Sequence, residues 1–129
     1  MFICIEPDSD IPIYTQITNQ IIEGIAKGEI RSGESLPSVR GFAADLGINM
    51  HTVNRSYHEL EKKGIIQIIP KSGAVISSQE EMKAQNGAAY ERISDHLRPI
   101  IAEALVIGMG EEQIYKKVKA IIRDFAKQQ

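Results

Sequence analysis

Between residues 49 and 73 the chain gathers side chains that donate and accept hydrogen bonds, with no nucleophile and base set among them. Asn49, His51, Thr52 and Asn54 stand close together, with Met50 and Arg55 beside them. Small polar groups at the start of a short helix suit the major groove of B-DNA, where the N-terminal residues of a helix reach base edges. Lys71-Ser72-Gly73 then supplies a cation, a hydroxyl and a bare backbone in consecutive positions. At a hairpin tip, such a set can follow phosphates or enter the minor groove beside a docked helix. The chemistry on offer is recognition, not catalysis. The chain carries neither a glycine-rich phosphate loop nor a nucleophile elbow. Glu80-Glu81 and Glu111-Glu112 are adjacent pairs, whose members point to different sides of a helix. His51 and His58 are nearly two helical turns apart, about 10 Å, too far to share an ion. No cysteine or carboxylate cluster completes a tetrahedral set, and His96 could ligate only with a second subunit. Neither a metal nor a cofactor is expected.

The elements that must position these groups follow from periodicity. Asp10 suits a helix cap, with Pro12 in the first turn. Ile13, Ile17, Ile21 and Ile25, with Tyr14 and Ile22 beside them, give one buried helical face that ends at Lys27-Gly28. Residues 29–37 read as a loop. Pro37 and Ser38 open a short second helix with Val39, Phe42, Ala43 and Leu46 on one face, closed by Gly47. Asn49 caps a third helix that turns Val53, Tyr57 and Leu60 inward and stops at Gly64; His51, Asn54, Arg55 and His58 lie opposite. The β-branched runs 65–69 and 74–77, joined by Pro70-Lys71-Ser72-Gly73, predict a hairpin. Residues 2–5 form a short apolar run able to pair as a strand. Helix, helix, glycine turn, helix and hairpin, in that order, are the plan of a winged helix-turn-helix.

The motifs also carry a family resemblance. Gly33-Glu34-Ser35-Leu36-Pro37-Ser38-Val39-Arg40-Gly41-Phe42-Ala43-Ala44-Asp45-Leu46-Gly47-Ile48-Asn49 resembles the signature of the GntR family of regulators. Thr52 to Gly64 looks like that family's recognition helix, and Ile65 to Ile76, with Gly73, like its wing. The two-helix tail at 88–127 is similar to the YtrA subfamily, which lacks a large effector domain. The resemblance implies DNA binding in which Ser38 and Arg40 contact DNA, Asn49, Met50, His51, Thr52 and Asn54 read bases, and Gly73 lies near the minor groove. Met50 and Asn54 stand where the family often has Arg, the residue that most commonly pairs with guanine. Asn54 can pair instead with adenine, and Met50 can meet a thymine methyl. Arg55 has two readings, an ion pair with Glu59 four residues on or a phosphate contact. His58 reads as a surface or phosphate-side residue.

Composition is compatible with this reading without demanding it. The chain has 129 residues and a formal net charge of −2. Residues 11–78 carry seven bases and six acids, so the head is only weakly basic. The acidic start is not a secretory signal, and no apolar run is long enough to span a membrane. The single cysteine, Cys4, excludes an internal disulfide framework, points to a reducing cytoplasm, and reads as a small apolar strand residue.

Residues 78–129 form the second segment, after a head at 1–77. A polar stretch at 78–88 reads as a linker or helix start. Tyr90, Ile93, Leu97, Ile100, Ile101, Ala104 and Leu105 make one apolar stripe, with a kink expected at Pro99. Ile114, Val118, Ile121, Ile122 and Phe125 make another. Two such helices leave more apolar surface than a small monomer tolerates, so a two-fold partner is expected. The chain is thus expected to be mainly α with a small β-hairpin: a winged head and a helical dimerisation tail. Its expected partners are double-stranded operator DNA and a second copy of itself. The YtrA resemblance implies a repressor of a neighbouring operon, typically one encoding an ATP-binding-cassette transporter, and the two-fold dimer implies an inverted-repeat operator. The alternative is a winged-helix protein–protein module without specific DNA binding, in line with the near-neutral head. A small-molecule effector could act through a hinge at 78–88, although no residue pattern outlines its pocket.

Overall fold

The isoleucines spaced three and four apart form α1 (Ile13–Ala26) in the computed structural model, which describes residues 3–126. Pro12, not Asp10, is the N-cap, and no side chain caps this helix. The upstream chain turns instead through Ser9, whose Oγ accepts the Ile11 N–H at 3.1 Å. α2 (Val39–Leu46) and α3 (Met50–Lys62) follow, separated by Gly47 at φ 68, a left-handed position that glycine occupies without strain.

The apolar run at 2–5 does not become a strand within the described residues, and Phe2 lies outside them. Glutamine amides take the place of a strand partner. Cys4 N–H donates to Gln20 Oε1 at 2.9 Å, and Gln20 Nε2 donates back to the Cys4 carbonyl at 2.7 Å. Gln16 repeats the pattern at Glu6, accepting its N–H at 2.9 Å and donating to its carbonyl at 3.1 Å. The match is geometric: four helical residues rise about 6 Å and two extended residues about 6.7 Å. Cys4 itself is exposed, not an apolar core residue.

The predicted hairpin, β2 (Ile66–Ile69) and β3 (Gly73–Ile76), is present and gains a third strand. The segment read as a loop contains β1 (Ser35–Leu36), which pairs antiparallel with β3 through Ser35↔Val75 and Leu36↔Ala74. β3 is therefore central, in the order β1-β3-β2. Ile17 and Ile21 of α1, Val53, Tyr57 and Leu60 of α3, and Ile66 and Ile76 of the sheet are fully buried together. A helical trio closed by a small antiparallel sheet makes residues 13–76 a winged helix-turn-helix.

The polar stretch after the head is a short helix, α4 (Gln79–Lys83), started by a capping box. Ser78 Oγ accepts the Glu81 N–H, and Glu81 Oε1 accepts the Ser78 N–H at 3.0 Å. The other Glu81 oxygen accepts from Gln67 Nε2 of β2, tying α4 to the wing. The Ser78 N–H bond, helped by the Ser78 hydroxyl and Gln67, holds the Glu81 carboxyl below the ordinary carboxylate range. A carboxyl depressed in the fold stabilises it above its unfolded pKa, and that contribution is lost as pH falls through the folded value. The Ser78 amide resonance should therefore titrate below the ordinary carboxylate range, and Glu81→Gln should abolish that titration. A Ser78 shift that persists in Glu81→Gln would contradict the assignment.

α5 (Asn86–Val106) runs uninterrupted through Pro99, which neither ends nor splits it. α6 (Glu111–Ala126) follows after Gly108. Neither helix buries a single residue. Of the predicted interface residues, Tyr90, Ile93, Leu97, Leu105, Val118, Ile121 and Ile122 are exposed, while Ile101, Ile114 and Phe125 are half-buried. Ile100, Val106, Ile107 and Tyr115 extend the same exposed apolar surface. α6 touches α1 of the head, yet most of both stripes stays exposed.

Candidate nucleic-acid interface

Each edge of this surface is set by a cap or a buried anchor. Ser38 begins α2 by accepting the Gly41 N–H on its Oγ at 3.1 Å, so the hydroxyl assigned to DNA already serves the helix. Arg40 follows on the exposed first turn of α2. Tyr57 reaches from α3 to the entry of α2, donating its hydroxyl to the Pro37 carbonyl at 2.7 Å. Its ring is fully buried and meets Phe42 at 6.3 Å between centroids. Burial pushes the phenol far above its ordinary pKa, so it stays a neutral donor.

Asn49 Oδ1 accepts the His51 N–H at 2.7 Å and starts α3. A cap of this kind contributes about 1 kcal/mol. It occupies one lone pair of the Asn49 carbonyl oxygen, leaving the second lone pair and the amide N–H groups for a base. Met50, His51 and Asn54 are exposed, and Thr52 is half-buried. Val53, Ser56, Tyr57 and Leu60 point the opposite way, into the core. The structure thus brings Met50, His51 and Asn54 onto one open face at the N-terminal end of α3. His58 is exposed further along the helix.

Arg55 does not make the Glu59 ion pair that its spacing offered. Its guanidinium lies over the Tyr14 ring, 3.9 Å from the centroid, instead of pairing with Glu59. Tyr14 entered the sequence reading only as a helix residue. The signal was present in its place at the start of α1, but the cross-helix contact is not readable from spacing. Among the described residues, neither Arg40 nor Lys71 has an ion-pair partner, so both charges face solvent.

The wing differs from its sequence reading at one position. Lys71, at φ 68, and Ser72 are exposed at the tip, and the Ser72 N–H closes the turn on the Ile69 carbonyl at 3.0 Å. Gly73 is not part of that exposed tip. It is buried at φ 92, and a Cβ there would lie 2.4 Å from the Leu36 carbonyl oxygen. Its bare backbone admits β1.

The described residues offer no metal site: no group of three or more His, Cys, Asp or Glu side chains could hold an ion. No described helix is long and apolar enough to cross a membrane. Residues 13–76 match the family model described as bacterial regulatory proteins, gntR family. The chain is 35% identical over 120 residues to the HTH-type transcriptional repressor YtrA of Bacillus subtilis, covering 93% of this chain and 92% of that protein. Among solved structures, it is similar to a transcriptional antiterminator from Listeria monocytogenes EGD-e, with a TM-score of 0.78, 31% identity, and coverage of 97% and 92% of the two chains. It is also similar to YtrA from Sulfolobus acidocaldarius, a GntR-family transcription factor, with a TM-score of 0.58, 36% identity, and coverage of 95% and 97%. The chain belongs to the gntR family of bacterial regulatory proteins, and is a helix-turn-helix transcriptional regulator rather than an enzyme.

Proposed function

We propose that this regulator represses transcription by binding an inverted-repeat operator as a homodimer. The observation that carries the reading is the open N-terminal face of α3, where Met50, His51 and Asn54 are exposed on a helix anchored by Val53, Tyr57 and Leu60. Asn49, Met50, His51, Thr52 and Asn54 approach base edges in the major groove. Ser38, Arg40 and Arg55 face phosphates beside it, and Lys71 and Ser72 follow the backbone from the wing. Gly73 supports that wing from within. The head at 1–77 reads DNA, and the segment at 78–129 joins two heads through the exposed stripes of α5 and α6. Repression of a neighbouring operon, with an ATP-binding-cassette transporter as the target class, is the regulatory role proposed by analogy with the YtrA relatives.

Fluorescence anisotropy on the duplex upstream of the protein's own gene, titrated with salt, tests the reading. Binding should weaken steeply as salt rises, because each neutralised phosphate releases counterions. Arg40→Ala, which removes one phosphate contact from each subunit, should lower the log–log salt slope by about 2 and weaken all duplexes alike. Salt-independent binding, or equal binding to a scrambled duplex, would favour a protein partner for the winged helix instead.

A further inference from the structure

The Arg55–Tyr14 stack stands over a pinned helix crossing. Thr18 Oγ1 donates to the Tyr14 carbonyl at 2.9 Å and meets Ser56 Oγ at 2.8 Å. Ser56 is fully buried and directly follows Arg55, so the hydroxyl pair fixes α1 against α3 next to the stack. The ring is half-buried while the arginine is exposed. A guanidinium lying on a ring gives its face to the π system and keeps its in-plane N–H fork free. Among the described residues no carboxylate engages that fork. A flexible cation has been given one orientation, on the same helix as Met50, His51 and Asn54.

We propose that Tyr14 is a positioning residue for nucleic-acid recognition: it holds Arg55 so that the free guanidinium edge meets a backbone phosphate beside the α3 reading face. This assignment rests on the DNA-binding reading above. Pre-ordering one long side chain spares the entropy of fixing it on binding, equivalent to about two- to tenfold in affinity.

The test is anisotropy with the same upstream duplex across a salt series, using Tyr14→Phe, Tyr14→Leu, Arg55→Ala and the Tyr14→Leu/Arg55→Ala pair. Tyr14→Phe keeps the ring face and should bind like the unaltered protein. Tyr14→Leu should weaken binding by about two- to tenfold for each subunit of the dimer. Arg55→Ala, lost from both subunits, should lower the salt slope by about 2. In the Arg55→Ala background, Tyr14→Leu should have no further effect, which a merely structural role for the ring would not produce. Thermal melts of each variant separate loss of folding from loss of binding. Additive losses in the pair, or tighter binding by Tyr14→Leu, would overturn the assignment; the latter would mean that Arg55 must leave the ring to reach DNA. If the unaltered protein shows no salt-dependent binding, the recognition reading falls and takes this assignment with it. If that protein binds and Tyr14→Leu changes nothing, the assignment alone falls.

Discussion

Gly73→Val should destabilise the head by about 3 kcal/mol or more, through strain at a left-handed position together with overpacking. The new Cβ would sit 2.4 Å from the Leu36 carbonyl oxygen and 2.8 Å from the Pro37 carbonyl carbon, both backbone atoms that cannot rotate away. The φ of 92 adds strain of its own. β1 would have to leave β3, and with it the Leu36 side chain that is buried in the core. Gly33→Ala is the informative control. Gly33 has a similar φ of 85 but nothing within 4 Å of a built Cβ. It should lose only the conformational part, about 1 kcal/mol. Urea denaturation of both variants measures the difference. Equal losses would mean that the close approach of β1 contributes nothing.

The second large effect is expected in the tail. Leu97→Asp with Ile122→Asp should convert a dimer into monomers and cut operator affinity by about 100-fold or more, because the second head would lose its effective concentration. Leu97 is half exposed and Ile122 is 61% exposed, although both are core-type residues on amphipathic helices. Charges placed there cost the isolated chain little but cannot be buried in an apolar interface without a partner. Light scattering at micromolar concentration should give twice the 14.3 kDa chain mass for the unaltered protein. The doubly substituted chain should give the single mass with its head still folded. A monomeric unaltered protein would contradict the dimer.

Much of the head was legible because its signals are local. Ser38 and Asn49 are caps recognisable by type and position, and the isoleucine spacing of α1 needs no knowledge of its neighbours. Contacts between distant segments were not legible. β1 is a two-residue strand, too short for alternation to show. The docking of Cys4 and Glu6 uses Gln20 and Gln16 amides, whose polar character suggests solvent, not a backbone partner. Gly73 reads as a wing-tip glycine until β1 is placed against it. Arg55 had a carboxylate at the favourable i+4 spacing, yet the ring of Tyr14 on another helix holds it. Whether Pro99 would split the tail helix was not legible from spacing, and α5 runs through it without ending.

Enrichment of a random duplex library on the purified protein tests the central claim most directly, with Asn54→Ala run in parallel. Recognition by two α3 helices predicts an inverted repeat whose half-sites are about one helical turn, or a multiple, apart. Asn54→Ala should relax the preference at the same position of each half-site. Enrichment of no sequence, or of a site without two-fold symmetry that Asn54→Ala leaves unchanged, would contradict sequence-specific reading by the α3 dimer.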